Sequence, residues 1–274
     1  MFDIIDRDRG SGIRGRARQT RAVRTVLVIG IGAGDPDHLT VEAARALNRV
    51  EVVFVLDKGE DRADLAAVRR EILARHAERP PREVVAVDPT RELGGPSYRD
   101  DVAAWHEQRL AIYERFIGDE LADGQAGAFL VWGDPSLYDS TLRILDQVRE
   151  RGRVAFAVEV VPGISSVQVL AARFARPLHG VGAPVYITTG RRLAKGWPDG
   201  VDDVVVMLDG SCAFTTVDPA GVTLYWGAYL GTPDEILVSG PLAEVADHVV
   251  QVRAEARERK GWMFDTYLLS RRAP

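Results

Sequence analysis

The chain has 274 residues, 46% apolar and 27% charged, with a formal net charge of −5. That balance belongs to a globular protein able to bury a sizeable core, and it excludes a disordered or collagen-like chain. No apolar run reaches membrane-spanning length, and the acidic balance gives no electrostatic reason to bind nucleic acid. The single Cys212 leaves no internal disulfide or cysteine-rich zinc site and points to a reducing, cytoplasmic setting.

Residues 1–21 carry Arg7, Arg9, Arg14, Arg16, Arg18 and Arg21 among glycines and aspartates, lack the apolar stretch of a secretory signal, and read as a flexible tail. Strand and helix patterns then alternate, the signature of an α/β protein with mostly parallel pairing. Residues 26–29 form a first strand running into Gly30-Ile31-Gly32-Ala33-Gly34-Asp35. A dinucleotide-binding turn wants a third glycine where Asp35 stands. Its charge repels a pyrophosphate, and Pro36 removes an N–H that an anion would use, so the turn suits a cationic or neutral ligand.

Thr40 caps a helix to Asn48, with Glu42 in its first turn. A strand at 52–56, a helix at 65–77 and a strand at 83–87 lead to a Gly/Pro-rich loop at 91–98. From 101 to 121, Val102, Trp105, Leu110, Tyr113, Phe116 and Ile117 recur at helical intervals, which places Trp105 and Phe116 in the core. The strand at 128–132 ends in a second turn, Gly133-Asp134-Pro135-Ser136-Leu137-Tyr138, before a helix at 140–151. A boundary near Arg153 divides the chain into domains at 22–152 and 153–274. The second domain opens with a strand at 154–161 and a third turn, Pro162-Gly163-Ile164-Ser165-Ser166. Strands at 185–189 and 204–208 flank a basic loop with Arg191, Arg192 and Lys195, and a fourth turn follows at Asp209-Gly210. Strands at 223–229, 236–239 and 262–269, with a helix at 242–257, complete the chain.

All four turns close apolar strands, the edge where open α/β sheets bind ligands. Together they offer backbone carbonyls and N–H groups, the hydroxyls of Ser165 and Ser166, and few cations. Such a lining suits an uncharged base, an amino-acid carboxylate and a positive sulphur. None of the five histidines has metal-ligand spacing, so no metal is expected. A nucleotide-dependent oxidoreductase is a competing reading, with Glu51 or Asp57 near the place of a ribose-binding acid; a non-catalytic binding protein is another.

The order and spacing of the first three turns resemble those of the tetrapyrrole methylases, whose pattern includes Gly-x-Gly-x-Gly-Asp, Gly-Asp-Pro and Val-x-Pro-Gly-x-Ser. The resemblance runs from Val26 to the C-terminus. The segments at 55–59, 105–109, 131–135 and 207–210 match one member of the family more sharply. Ala33 stands where most members have proline, Trp132 replaces a small residue, and Asp209 replaces a frequent methionine.

The resemblance implies two α/β domains with S-adenosylmethionine in the cleft between them, a tetrapyrrole substrate and a homodimer. It assigns the cofactor to Ala33, Trp132, Gly133, Asp134, Leu137, Ser165, Ser166, Met207, Leu208, Asp209, Gly231 and Thr232. A general base is sought among carboxylates near the cleft, Asp35 first, with Asp139 and Tyr138 behind it. Lys58, Arg91, Arg99, Arg191, Arg192 and Lys195 are the cations expected to meet substrate carboxylates.

Overall fold

A computed structural model describes residues 23–57, 59, 63–89 and 98–272. Its first sheet is built from β1 (Arg24–Gly30), β2 (Val52–Asp57), β3 (Arg82–Val87), β4 (Ala126–Val131) and β5 (Phe156–Val161), in the order β3-β2-β4-β1-β5, with every pair parallel. Parallel neighbours need crossovers, supplied here by α1 (Val41–Leu47), α2 (Ala63–His76), α3 (Tyr98–Glu120) and α4 (Thr141–Arg151). The central strands β2, β4 and β1 are apolar on both faces because both are covered, while the edge strands β3 and β5 are partly exposed. Val26 and Val28 of β1 join Phe116, Ile117, Ile144 and Leu145 on the α3/α4 side. Leu27 and Ile29 join Ala43, Leu47 and Ile72 on the α1/α2 side. Thr40 caps α1 as expected, its hydroxyl accepting from Ala43 N at 3.0 Å.

The second sheet contains β6 (Val185–Thr189), β7 (Asp203–Met207), β8 (Thr223–Ala228), β9 (Ile236–Pro241) and β10 (Asp265–Ser270), in the order β6-β7-β10-β8-β9. Here the expectation of mostly parallel pairing fails. Only β6–β7 is parallel, while β7–β10, β10–β8 and β8–β9 are antiparallel. The short β8–β9 link can join only antiparallel neighbours, and the final strand inserts between β7 and β8. One face is covered by α6 (Gly190–Leu193) and α7 (Leu242–Lys260), whose Leu193, Leu242 and Val249 surround Trp226, Tyr267 and Phe214. The other face is covered by α5 (Ser166–Arg173), through Val167, Val169 and Leu170.

Strand β5 lies beyond the boundary expected at Arg153, yet it pairs with β1 in the first sheet. The division between the sheets therefore falls at the turn after Val161. Helix α7 also runs past residue 257 to a left-handed Gly261 cap, which moves the start of the last strand to Asp265.

Candidate active site

The turns after β1, β4 and β5 interlock through their backbones. A Cβ on Gly163 would lie 2.1 Å from Gly133 O, and one on Gly30 would lie 2.6 Å from Gly163 N, so only glycine fits at these contacts. Gly32 and Gly133 exchange backbone hydrogen bonds, with Gly133 N donating to Gly32 O at 2.8 Å. Asp134 ties the second turn to the third: its carboxylate accepts from Ser136 N at 2.8 Å and Gly163 N at 2.9 Å. Burial pushes the Asp134 carboxyl up, but these bonds and the Ser136 hydroxyl outweigh it and hold the group below its ordinary value.

The first turn reaches the second sheet. Gly34 sits where a Cβ would meet Thr232 Cγ2 at 2.7 Å and Leu230 O at 2.8 Å, and Ala33 is buried among Val167, Leu170 and Leu268. Trp132 packs against the cores of both sheets. Between the sheets lies a cleft of about 1100 Å³, lined by β-strand ends and turns from both halves. Non-glycine residues at positive φ number five among the described residues, and three of them, Tyr138 (55°), Leu208 (52°) and Tyr229 (50°), line this cleft. Such backbone costs on the order of 1–3 kcal/mol per residue and concentrates where function demands it.

Of the residues expected at the cofactor, Ala33, Trp132, Leu137, Ser166, Met207, Leu208 and Asp209 line the cleft. Gly133, Asp134, Ser165, Gly231 and Thr232 are not among the lining residues and form the framework behind it. Ser165 caps α5 in a capping box with Gln168, whose Oε1 accepts from Ser165 N at 3.0 Å. Gly231 N donates to Glu235 at 2.7 Å, and the Thr232 hydroxyl donates to Tyr229 O at 2.7 Å. The Asp209 carboxylate is spent inside the protein, accepting from Ala213 N and the Tyr267 hydroxyl, each at 2.6 Å, and from Ser211 N at 2.9 Å. Beneath it, Arg253 donates to Asp265 at 2.8 Å and to the Asp209 carbonyl, and both Arg253 and Asp265 reach the cleft wall.

The candidates for acid–base work separate in the same way. Asp35 accepts from Asp37 N at 2.9 Å as the cap of a short 3-10 turn and does not line the cleft. Tyr138 and Asp139 do line it. The Tyr138 hydroxyl reaches across to Ile187 O at 3.3 Å, and Asp139 accepts from Thr141 N at 2.6 Å. Of the expected substrate cations, Lys58 and Arg91 lie outside the described residues, as does the side chain of Arg99. Arg191, Arg192 and Lys195 are exposed on and just after α6, away from the cleft lining, although Arg192 acts electrostatically on Tyr138.

Among the described residues, four other cations line the cleft: Arg69, Arg109, Arg253 and Arg257. Arg109 makes a bidentate pair with Asp88 (2.8 and 3.0 Å) and sits 4.7 Å from the Trp105 ring. Trp105, expected in the core, is half-buried at the cleft and donates to Pro89 O at 2.8 Å, whereas Phe116 is buried as expected. Next to Arg109, burial pushes the Tyr113 hydroxyl up to about 12, against a hydrogen bond with Thr141. Glu51 cannot serve a dinucleotide: it precedes β2, at the sheet edge opposite the turns, and accepts from Ala126 N at 2.7 Å.

The tetrapyrrole (corrin/porphyrin) methylase family model matches residues 25–246. The precorrin-6A synthase [deacetylating] of a Sinorhizobium species is 50% identical over 92% of this chain and 97% of its own length. A crystal structure of a cobalamin synthesis-related protein (CobF) from Corynebacterium diphtheriae superposes with a TM-score of 0.79 at 37% identity, covering 91% and 99% of the two chains. The uroporphyrin-III C-methyltransferase of Thermus thermophilus, solved with S-adenosylhomocysteine, shares the fold at a TM-score of 0.54 and 23% identity, over 90% and 92%. The glycine turns locked around one inter-sheet cleft, and a family match that spans both sheets, lead to one conclusion: this chain belongs to the tetrapyrrole methylases.

Proposed function

We propose that the chain is a precorrin-6A synthase (deacetylating), an S-adenosylmethionine-dependent C-methyltransferase of corrin synthesis. Precorrin-5, S-adenosylmethionine and water become precorrin-6A, S-adenosylhomocysteine and acetate. The observation that carries this reading is the convergence of the β1, β4, β5, β7 and β8 turns on one cleft, together with 50% identity to a synthase of that activity.

The cleft chemistry fits the cofactor. Pro36–His38 is a three-residue 3-10 turn, so no helix dipole is aimed at the cleft from the first turn, and Gly34 is committed to the second sheet. The anion site of a dinucleotide-binding turn is therefore missing, and a neutral nucleoside and a sulfonium are the better match. Ala33, Leu137, Met207 and Leu208 would supply apolar surface for the nucleoside, and Ser166 a hydroxyl. When bound, S-adenosylmethionine supplies an already activated methyl group. What the protein adds is alignment, on the order of 7–11 kcal/mol when the reacting groups are held correctly.

Deacetylation also needs a water, and of the acid–base candidates we assign the acceptance of its proton to Asp139, a carboxylate that lines the cleft. Asp35 yields that role because its carboxylate caps its own turn. We further expect a cytoplasmic homodimer, as the family resemblance implies; among the described residues no helix is long and apolar enough to cross a membrane.

The test is incubation with precorrin-5 and labelled S-adenosylmethionine, followed by mass analysis of the macrocycle and assay of acetate. One methyl gained per acetate released is expected. Methylation with no acetate would assign the chain to a sister enzyme, and calorimetric heat with NADH but none with S-adenosylhomocysteine would end the methylase reading.

A further inference from the structure

The described cations at the cleft differ in what already occupies their donors. Arg109 is satisfied by Asp88, and Arg253 by Asp265 and the Asp209 carbonyl. Arg257 is exposed on α7. Arg69 differs from all three. It is half-buried on α2, lines the cleft, and makes no hydrogen bond or ion pair among the described residues. Its position follows from the helix: Ile72 and Leu73 face the core, while Ala66 and Arg69, one turn apart, share the side that looks into the cleft. The small Ala66 leaves the long side chain room.

We propose that Arg69 is a carboxylate-binding residue at the first-sheet end of the cleft, one that takes an acetate or propionate arm of the macrocycle or the acetate that is released. The inference rests on the functional reading above, since that reading supplies a polyacidic substrate. A guanidinium held partly out of water with unused donors is costly unless an anion meets it, and its fork matches a carboxylate in two bonds. Burial lowers the Arg69 pKa, and Asp139 is the neighbour whose charge offsets part of that effect. Asp139 does not neutralise it by contact: its carboxylate accepts from Thr141 N, and no ion pair within 4.0 Å joins the two side chains. The end wall thus presents a free cation beside a carboxylate. A substrate arm gripped by Arg69 would bring the ring carbon that carries the acetyl group towards Asp139.

The experiment titrates wild type, Arg69→Gln and Arg69→Lys with uroporphyrin, a stable ring with acetate and propionate arms, by fluorescence quenching, and with S-adenosylhomocysteine by calorimetry. Sodium acetate is titrated separately into the S-adenosylhomocysteine complex. Arg69→Gln is expected to weaken porphyrin binding roughly 10-fold or more, the loss of a charge-assisted pair, and Arg69→Lys less, with S-adenosylhomocysteine affinity unchanged. Unchanged porphyrin binding with loss of acetate binding would assign Arg69 to the released product. Porphyrin and acetate binding both unchanged in Arg69→Gln would overturn the proposal while leaving the methylase reading intact. A parallel fall in S-adenosylhomocysteine affinity would overturn it by making Arg69 structural. If wild type binds S-adenosylhomocysteine but no porphyrin, the macrocycle reading itself fails, and this inference with it.

Discussion

The two walls of the cleft are held in place by different physics. On the first-sheet side, three turns touch backbone to backbone, and glycine is required because a single added carbon would collide with a carbonyl. On the second-sheet side, the backbone at Leu208 and Asp209 is kept in position by buried polar groups: Asp209 under Tyr267, and Arg253 between Asp265 and the Asp209 carbonyl. One wall is rigid through close contact and the other through charge. Their sensitivities should differ accordingly, the first to volume and the second to loss of a partner.

The largest effect is expected on the charged side. Arg253→Met leaves Asp265, with only 4% of its side chain exposed, as an uncompensated acid, and removal of one partner from such a pair costs about 3–5 kcal/mol. Urea unfolding measures the loss, and Arg253→Met combined with Asp265→Leu should recover most of it. If the single and double variants are equally unstable, packing rather than charge holds that wall. On the close-contact side, Gly163→Ala should cost about 2–3 kcal/mol as the turns are forced apart, with S-adenosylhomocysteine affinity falling too. Gly210→Ala, with no protein atom within 4 Å of the added carbon, is the matched control for stability and should be neutral in unfolding.

A smaller effect tests the link between the first-sheet turns. Asp134→Asn weakens the bonds from Ser136 and Gly163 and should cost about 1 kcal/mol at neutral pH. The Asp134 carboxyl is depressed in the folded protein, so its contribution is complete above the unfolded carboxyl range and is lost as pH falls through the folded value. The stability gap between wild type and Asp134→Asn should therefore narrow as the solution is acidified below roughly pH 4. A gap constant with pH would mean that the carboxylate form is not what links the turns.

Much of this arrangement is legible in the sequence wherever local chemistry decides it. The parallel strands show as apolar runs, and glycine and proline mark each turn. Thr40 marks the start of α1. Helix α5 carries a local signal as well, the Ser165-x-x-Gln168 capping box, but the run that follows is short and the proline-glycine turn before it is the stronger mark. What stayed hidden depends on contacts far apart in sequence. The insertion of β10 between β7 and β8 decides the antiparallel second sheet, and the pairing of β5 with β1 moves the boundary between the sheets. Asp35 and Asp139 are alike as residues, and only the fold shows that the first caps a turn away from the cleft and the second lines it. Arg69 reads in sequence as one more surface charge on a helix, and the arginines of α6 stand out instead because their loop is basic.

The burial of Ala33 in the cluster formed by α5 and β10 has a mechanical consequence. The segment leaving the first sheet is clasped by the second, with Gly34 against Leu230 and Gly231 against Asp35. A wide hinge swing would pull this clasp open and bring its apolar contacts into water. Exchange of bound molecules is therefore expected to proceed by small adjustments of side chains at the mouth, with the two sheets moving as a single block.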